Sequence, residues 1–221
     1  MTLIPGGAAG DLFSGHQPVA EEIAPGATLL RGFAVHEVDA LLVVLKDISA
    51  RAPFRHMITP GDHRMSVAMT NCGAAGWVSD KKGYRYDRID PETGQSWPPM
   101  PQLFFDLAAR AANECEYADF VPDACLINRY QPGARLTLHQ DKNERDFEAP
   151  IVSVSLGLPA TFQFGGLQRS DRPRRFRLHS GDVAVWGGPS RLCFHGVSPL
   201  AKGNDLLTGE YRFNLTFRKA L

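Results

Sequence analysis

The chain has 221 residues, 43% of them hydrophobic and 10% aromatic, enough for a substantial core and too apolar for a disordered polypeptide. Its 24 basic and 24 acidic side chains cancel, which excludes a uniformly basic nucleic-acid coat and leaves any such binding to a local patch. Four cysteines without a CxxC spacing, no apolar run of membrane-spanning length and no signal-peptide start fit one domain, monomeric and cytoplasmic, with reduced structural thiols and no membrane partner.

Residues 1–26, rich in Gly, Ala and Pro, read as a loose lead-in. His36–Arg51 reads as an amphipathic helix with Val38, Leu41, Leu42, Leu45 and Ile48 on one stripe. From Met57 to Met100 no clean period holds, but Trp77, Tyr84, Tyr86 and Trp97 lie among Lys81, Lys82, Arg85 and Arg88. That mixture serves either as a strand-and-loop cover on the core or as a surface that stacks an unpaired base beside phosphate. Pro98, Pro99 and Pro101 close this stretch, and a second helix is predicted over Gln102–Glu116. Short strands follow at Ala124–Tyr130, Leu136–Asp141, Ile151–Leu156, Thr161–Phe164, Phe176–His179, Val183–Trp186, Cys193–Val197 and Tyr211–Arg218, punctuated by Gly165-Gly166, Ser180-Gly181 and Gly187-Gly188. The arginine-rich run Arg169–Arg177 is a solvated hairpin or a basic patch. The pattern predicts an α+β protein, mainly β: a sandwich or jelly roll with helices buttressing one face.

Chemistry concentrates in two strands. In Leu136-Thr137-Leu138-His139-Gln140-Asp141, strand alternation puts His139 and Asp141 on one face and sends Leu136 and Leu138 into a core. With His195, 54 residues after Asp141, the pair makes a two-His, one-carboxylate set, the facial triad of non-heme Fe(II) oxygenases. His-x-acid spacing is common by chance, and two satisfied polar histidines in an ordinary sandwich are the plainer reading. In Arg212-Phe213-Asn214-Leu215-Thr216-Phe217-Arg218, polar and apolar residues alternate without interruption. Facing water, Arg212 and Arg218 are plain surface charges. Facing a barrel interior, each needs a buried anion, and a small dicarboxylate would serve both. Trp186 reads as core or pocket wall, and His16, His36, His56, His63 and His179 have no partner at ligand spacing.

The stretches MSVAMTNCG, PDACLINRYQPGARLTLHQDK, APIVSVSLGLPA, FQFGGL, GDVAVWGG and RFNLTFR, spread between Ala27 and Arg218, closely resemble the AlkB family of Fe(II)- and 2-oxoglutarate-dependent dioxygenases, which remove alkyl groups from damaged bases. The resemblance implies a double-stranded β-helix (jelly roll) over residues 119–221, with residues 27–118 supplying helices and a nucleotide-recognition lid. It implies Fe(II) on His139, Asp141 and His195. The co-substrate 2-oxoglutarate would be held by Asn128, Tyr130 and Arg212, with Arg218 near the chelating carboxylate, and O2 would be consumed. Asn214, on the same inward face, joins them. For a flipped base the resemblance implies stacking between Trp77 and His139, with Arg169 near the base and Tyr84, Arg85 and Tyr86 at the phosphates. The implied partner is alkylated DNA, single- or double-stranded, with RNA left open beside it. The implied reaction is oxidative demethylation of N1-methyladenine, N3-methylcytosine and related lesions with release of formaldehyde, a DNA-repair activity. An oxygenase of the same chemistry acting on a protein or a small molecule is the alternative. One residue departs from the family pattern: after HQDK the family has an acid that meets the exocyclic amine of the base, and this chain has Asn143.

Overall fold

The computed structural model describes residues 19–221. Within the predicted lead-in, residues 1–18 lie outside the described residues, while Val19–Ala24 is not loose. It forms strand β1, paired antiparallel with β2 (Ala27–Arg31) around a turn at Gly26. Gly26 has φ +73, and a Cβ there would lie 2.8 Å from the Gly187 carbonyl oxygen, so the glycine that made the segment look flexible is what the tight turn requires.

Two antiparallel sheets face one another. The larger has seven strands in the order β1, β2, β11 (Val183–Trp186), β8 (Ile151–Gly157), β13 (Arg212–Arg218), β6 (Ala124–Tyr130), β3 (Ala68–Gly73). The smaller has four: β10 (Arg174–Leu178), β9 (Ala160–Phe164), β12 (His195–Val197), β7 (Leu136–His139). Alternate residues of the large sheet point to different cores, as period-2 geometry requires. Leu29, Leu126, Ile151, Ala184 and Trp186 pack inward against Phe162, Phe164, Phe176 and Leu178 of the small sheet. Their neighbours Leu30, Cys125, Ile127, Val154, Leu215 and Phe217 pack outward under the helices. This is the mainly β jelly roll, buttressed on one face, that the strand spacing predicts.

Helix α1 (Val38–Arg51) buries Val38, Leu41, Leu45 and Ile48, each worth roughly 1.5–3 kcal/mol of transfer free energy, while Leu42 is only partly covered. Helix α2 (Gln102–Glu114) stops two residues short of the predicted end, because Glu116 adopts a left-handed φ of +66. The stretch with no clean period resolves into β3, which closes the large sheet's edge, and a separate hairpin of β4 (Gly76–Asp80) and β5 (Gly83–Asp87).

Candidate metal and co-substrate centre

Strands β12 and β7 bring the two histidines together directly: His195 is the cross-strand partner of His139, and their ring centroids are 4.5 Å apart. Two residues further, Val197 faces Leu136, so β7 carries one extra residue, a β-bulge. Gly196 permits it, since a Cβ there would meet Leu136 O at 2.7 Å and Leu138 N at 3.2 Å. The bulge overturns part of the simple alternation. Leu136 and Leu138 are both half-buried, and Leu136, three residues from His139, packs against the inner core beside it.

In each imidazole Nδ1 faces a backbone carbonyl, Thr137 O at 2.8 Å for His139 and Cys193 O at 3.0 Å for His195. Those bonds put the proton on Nδ1 and leave Nε2 free to ligate. Both Nε2 atoms lie 3.8 Å from an oxygen of Asp141, and one ligand atom from each of the three residues falls within 4.8 Å of the others. Burial pushes the His195 pKa down to about 4, aided by the nearby His139 and opposed by Asp141. Burial alone would raise the Asp141 carboxyl, but Arg218, His195 and His139 hold it well below the usual carboxylate range. Asp141 and His195 are therefore deprotonated near neutral pH, and the three ligand atoms are preassembled, as a divalent metal requires.

The polar face of β13 turns inward. Arg212 is 1% exposed and Arg218 5%, so both are buried charges. Arg218 donates Nε and Nη2 to Asp141 Oδ2 at 2.9 and 2.6 Å, and its Nη1 has no partner among the described residues. Arg212 lies over the Tyr130 ring at 5.1 Å and gives Nη2 to Ser155 Oγ at 3.0 Å, while Nε and Nη1 are unpaired among the described residues. Tyr130 OH and Asn128 Oδ1 are also buried without partners, and burial pushes the Tyr130 pKa up to about 12, so it remains a donor. Asn214 donates to Ser153 Oγ and Val154 O and receives from Thr216 and Asn128, which braces the floor. Buried donors and cations left unmatched are expensive. Their complement is an anion with oxygens at both ends, and the residues fit 2-oxoglutarate beside a metal on the triad.

The β4–β5 hairpin meets this centre with one face. Trp77 pairs across the hairpin with Tyr86, and Trp77 stacks on Tyr84 at 5.7 Å and 14°. The Trp77 indole donates to Asn143 Oδ1 at 3.2 Å, and the Tyr86 hydroxyl donates to Glu144 Oε1 at 2.7 Å. Asn71, 1% exposed, clamps the hairpin's start through two 3.0 Å bonds with the Trp77 backbone.

The sequence matches the family described as the 2OG-Fe(II) oxygenase superfamily over residues 26–218. The chain belongs to that superfamily. It is 56% identical to the alpha-ketoglutarate-dependent dioxygenase AlkB of Escherichia coli K12 over 210 residues, 95% of this chain and 97% of that protein. It is 42% identical to the AlkB homolog of Caulobacter vibrioides CB15, over 90% of this chain and 92% of that one. Among solved structures it resembles OsALKBH1, with TM-score 0.79 and 29% identity over 91% of this chain and 100% of that one. The protein is an Fe(II)- and 2-oxoglutarate-dependent dioxygenase that uses O2, with His139, Asp141 and His195 as its iron triad.

Within this 2OG-Fe(II) oxygenase, β-strand geometry separates the three residues expected at the phosphates. Tyr84 is 46% exposed at the rim. Tyr86 turns inward to Glu144. Arg85 lies on the opposite face of the hairpin, with its fork on Asp80 at 3.0 Å twice and Asp87 at 3.5 Å. Arg169 is exposed, 5.8 Å over Phe194, in the arginine-rich hairpin whose charged side chains face solvent. Sequence reasoning missed Arg191, buried, which donates to Asp141 O at 2.9 Å, Ala149 O at 3.0 Å and Glu144 Oε2 at 3.3 Å. A loop arginine carries no periodic signal. Ser153 and Ser155 were legible, as the only polar members of alternate positions in IVSVSLG. Trp186 is buried against His195, ring centroids 4.9 Å apart, as a pocket wall.

Proposed function

We propose that this dioxygenase oxidatively demethylates alkylated bases such as N1-methyladenine and N3-methylcytosine in DNA, and acts on RNA as well, releasing formaldehyde. The observation that carries the reading is the aromatic face of the β4–β5 hairpin, tied by Trp77 and Tyr86 to the two residues Asn143 and Glu144 that follow the iron ligand Asp141. A methyl group on a Watson–Crick edge is out of reach in a duplex, so the base must be flipped or already single-stranded, and it needs a stacking pocket beside the metal. Trp77 and His139 supply its walls, Tyr84 at the rim serves the flanking phosphates, Arg169 lies near the base, and Arg85, held by Asp80 and Asp87 on the hairpin's other face, we leave out of the phosphate contacts. Tyr86, expected at the phosphates, we place at the floor. Stacking contributes roughly 1–3 kcal/mol per base.

The iron centre, with O2 and 2-oxoglutarate, supplies the oxidation of the N-methyl carbon, with succinate and CO2 as co-products. The chain's own residues orient the partners. Arg212 would hold the co-substrate's distal carboxylate with Tyr130 and Asn128 beside it, Asn214 would brace that floor, and Arg218 would meet the carboxylate nearer the metal. Asp141 and Glu144 favour the positive charge of N1-methyladenine and N3-methylcytosine. Relatives support nucleic acid as the substrate class: a human protein named nucleic acid dioxygenase ALKBH1 is 34% identical over 55% of this chain, and a fission-yeast tRNA demethylase 33% over 61%. Among the described residues no helix is long and apolar enough to cross a membrane. We read the enzyme as monomeric and cytoplasmic. A protein or small-molecule substrate would have no use for the hairpin's stacking face.

The test is formaldehyde release from a single-stranded oligonucleotide bearing one N1-methyladenine, with Fe(II), 2-oxoglutarate and O2, against His139→Ala. Release that needs all three and vanishes in the variant is expected. Succinate without formaldehyde across methylated DNA and RNA would redirect the enzyme to the alternative substrate class.

A further inference from the structure

Glu144 is 6% exposed and bound on every side. Its Oε1 accepts from the Tyr86 hydroxyl at 2.7 Å and faces Arg218 Nε at 3.4 Å. Its Oε2 faces Arg191 Nη2 at 3.3 Å, and Arg191 in turn holds the Asp141 carbonyl. One carboxylate oxygen thus serves both the recognition hairpin and the arginine that grips the iron ligand. Tyr86 is the cross-strand partner of Trp77, so this tie and the Trp77–Asn143 bond join one rung of the hairpin to adjacent residues of the loop following Asp141. Arg218 has already given two donors to Asp141 and keeps Nη1 unmatched.

We propose that Glu144 is a positioning residue that couples the β4–β5 hairpin to the co-substrate end of the iron centre through the chain Tyr86–Glu144–Arg218–Asp141. A co-substrate carboxylate arriving beside Arg218 draws part of its fork away from Asp141. Glu144 is the remaining buried anion that holds Arg218. Movement of Arg218 shifts the oxygen that Tyr86 also uses, so occupancy of the co-substrate site is felt at the hairpin. By linkage, occupancy of the hairpin by a base is felt equally at the co-substrate site. None of these residues needs to change charge.

The inference rests on the proposed nucleic-acid reading only for what the hairpin carries, so its test has two arms. The first uses no nucleic acid: amide hydrogen exchange over residues 76–87 of the full chain with Mn(II), with and without 2-oxoglutarate, in wild type and Tyr86→Phe. That substitution deletes one hydroxyl and keeps the ring. Wild type is expected to exchange at least threefold more slowly with co-substrate, and Tyr86→Phe to lose that difference. A merely structural hydroxyl would raise exchange equally in both conditions. A wild-type hairpin indifferent to 2-oxoglutarate, or a variant slowed as much as wild type, overturns the proposal.

The second arm measures, by fluorescence anisotropy, binding of an N1-methyladenine oligonucleotide to the Mn(II) protein with and without 2-oxoglutarate. The affinity ratio is expected to be several-fold in wild type and near one in Tyr86→Phe; equal ratios overturn the coupling. Wild type that binds no oligonucleotide counts against the demethylase reading, and hydrogen exchange in the first arm then decides the coupling by itself.

Discussion

Arg212→Met should make the protein more stable and nearly unable to hold its co-substrate. In the wild type a buried guanidinium keeps Nε and Nη1 unmatched, with one bond to Ser155 and the Tyr130 face as its remaining support. Burial accordingly pulls its pKa down. Replacing such a charge with an apolar chain of similar length often stabilises a fold by about 1–4 kcal/mol, or ~2–4 °C in Tm per kcal/mol at this chain length. The two unmatched donors are the ones a carboxylate would take. Charge-assisted bonds contribute about 1.5–3 kcal/mol each, so their loss should raise the 2-oxoglutarate Kd on the order of 10²- to 10⁴-fold. Calorimetric titration of the Mn(II) protein with 2-oxoglutarate gives the Kd, and thermal melts with and without ligand give the stability. Wild type should gain Tm with co-substrate, and the variant should begin higher and gain nothing. A variant that binds 2-oxoglutarate within threefold of wild type would refute the assignment of Arg212 as anion receptor. A variant less stable by ~2 kcal/mol or more would show that Ser155 and Tyr130 already satisfy the charge.

Gly196→Ala places a Cβ 2.7 Å from the Leu136 carbonyl and should push the two histidine strands apart; we expect Mn(II) affinity to fall at least tenfold while the circular dichroism spectrum is kept, and unchanged affinity would contradict the role given to the bulge. Asn143→Asp exchanges an amide that both donates and accepts for a carboxylate that only accepts, so the rate ratio for N1-methyladenine over N1-methylguanine should rise; identical ratios in the two proteins would sink the specificity argument. The metal-free protein should weaken as pH falls. Folded His195 titrates near 4 and an unfolded histidine near 6.5, so the unfolded chain binds the extra proton between those values. The stability is complete above about 6.5 and declines towards 4, by at most ~1.4 kcal/mol per pH unit, with Asp141 adding loss of the same sign at lower pH. Denaturant midpoints at pH 7 and 5 for wild type and His195→Gln check this, and equal slopes would remove His195 as the cause.

The chain by itself determined much of the chemistry. Arg212 to Arg218 has one composition on even positions and another on odd, and a strand has two faces, so two arginines, an asparagine and a threonine had to share a side. The same period in IVSVSLG set Ser153 and Ser155 opposite Val152 and Val154. His139, Asp141 and His195 were nameable because metal ligation restricts residue type more than it restricts position. Tertiary structure decided what depends on which backbone passes beside which. Val19–Ala24 has no strong strand signal, and its pairing with β2 exists because Gly26 can turn against Gly187. The β7 bulge is invisible in Leu136–His139, since it is required by the closeness of Gly196 on a strand more than 50 residues away. The inward turn of Tyr86, the outward turn of Arg85 and the burial of Glu144 followed from hairpin register and from Arg191 and Arg218 reaching one carboxylate. Local pattern encodes which face a side chain takes, and only the packed fold encodes what stands opposite that face.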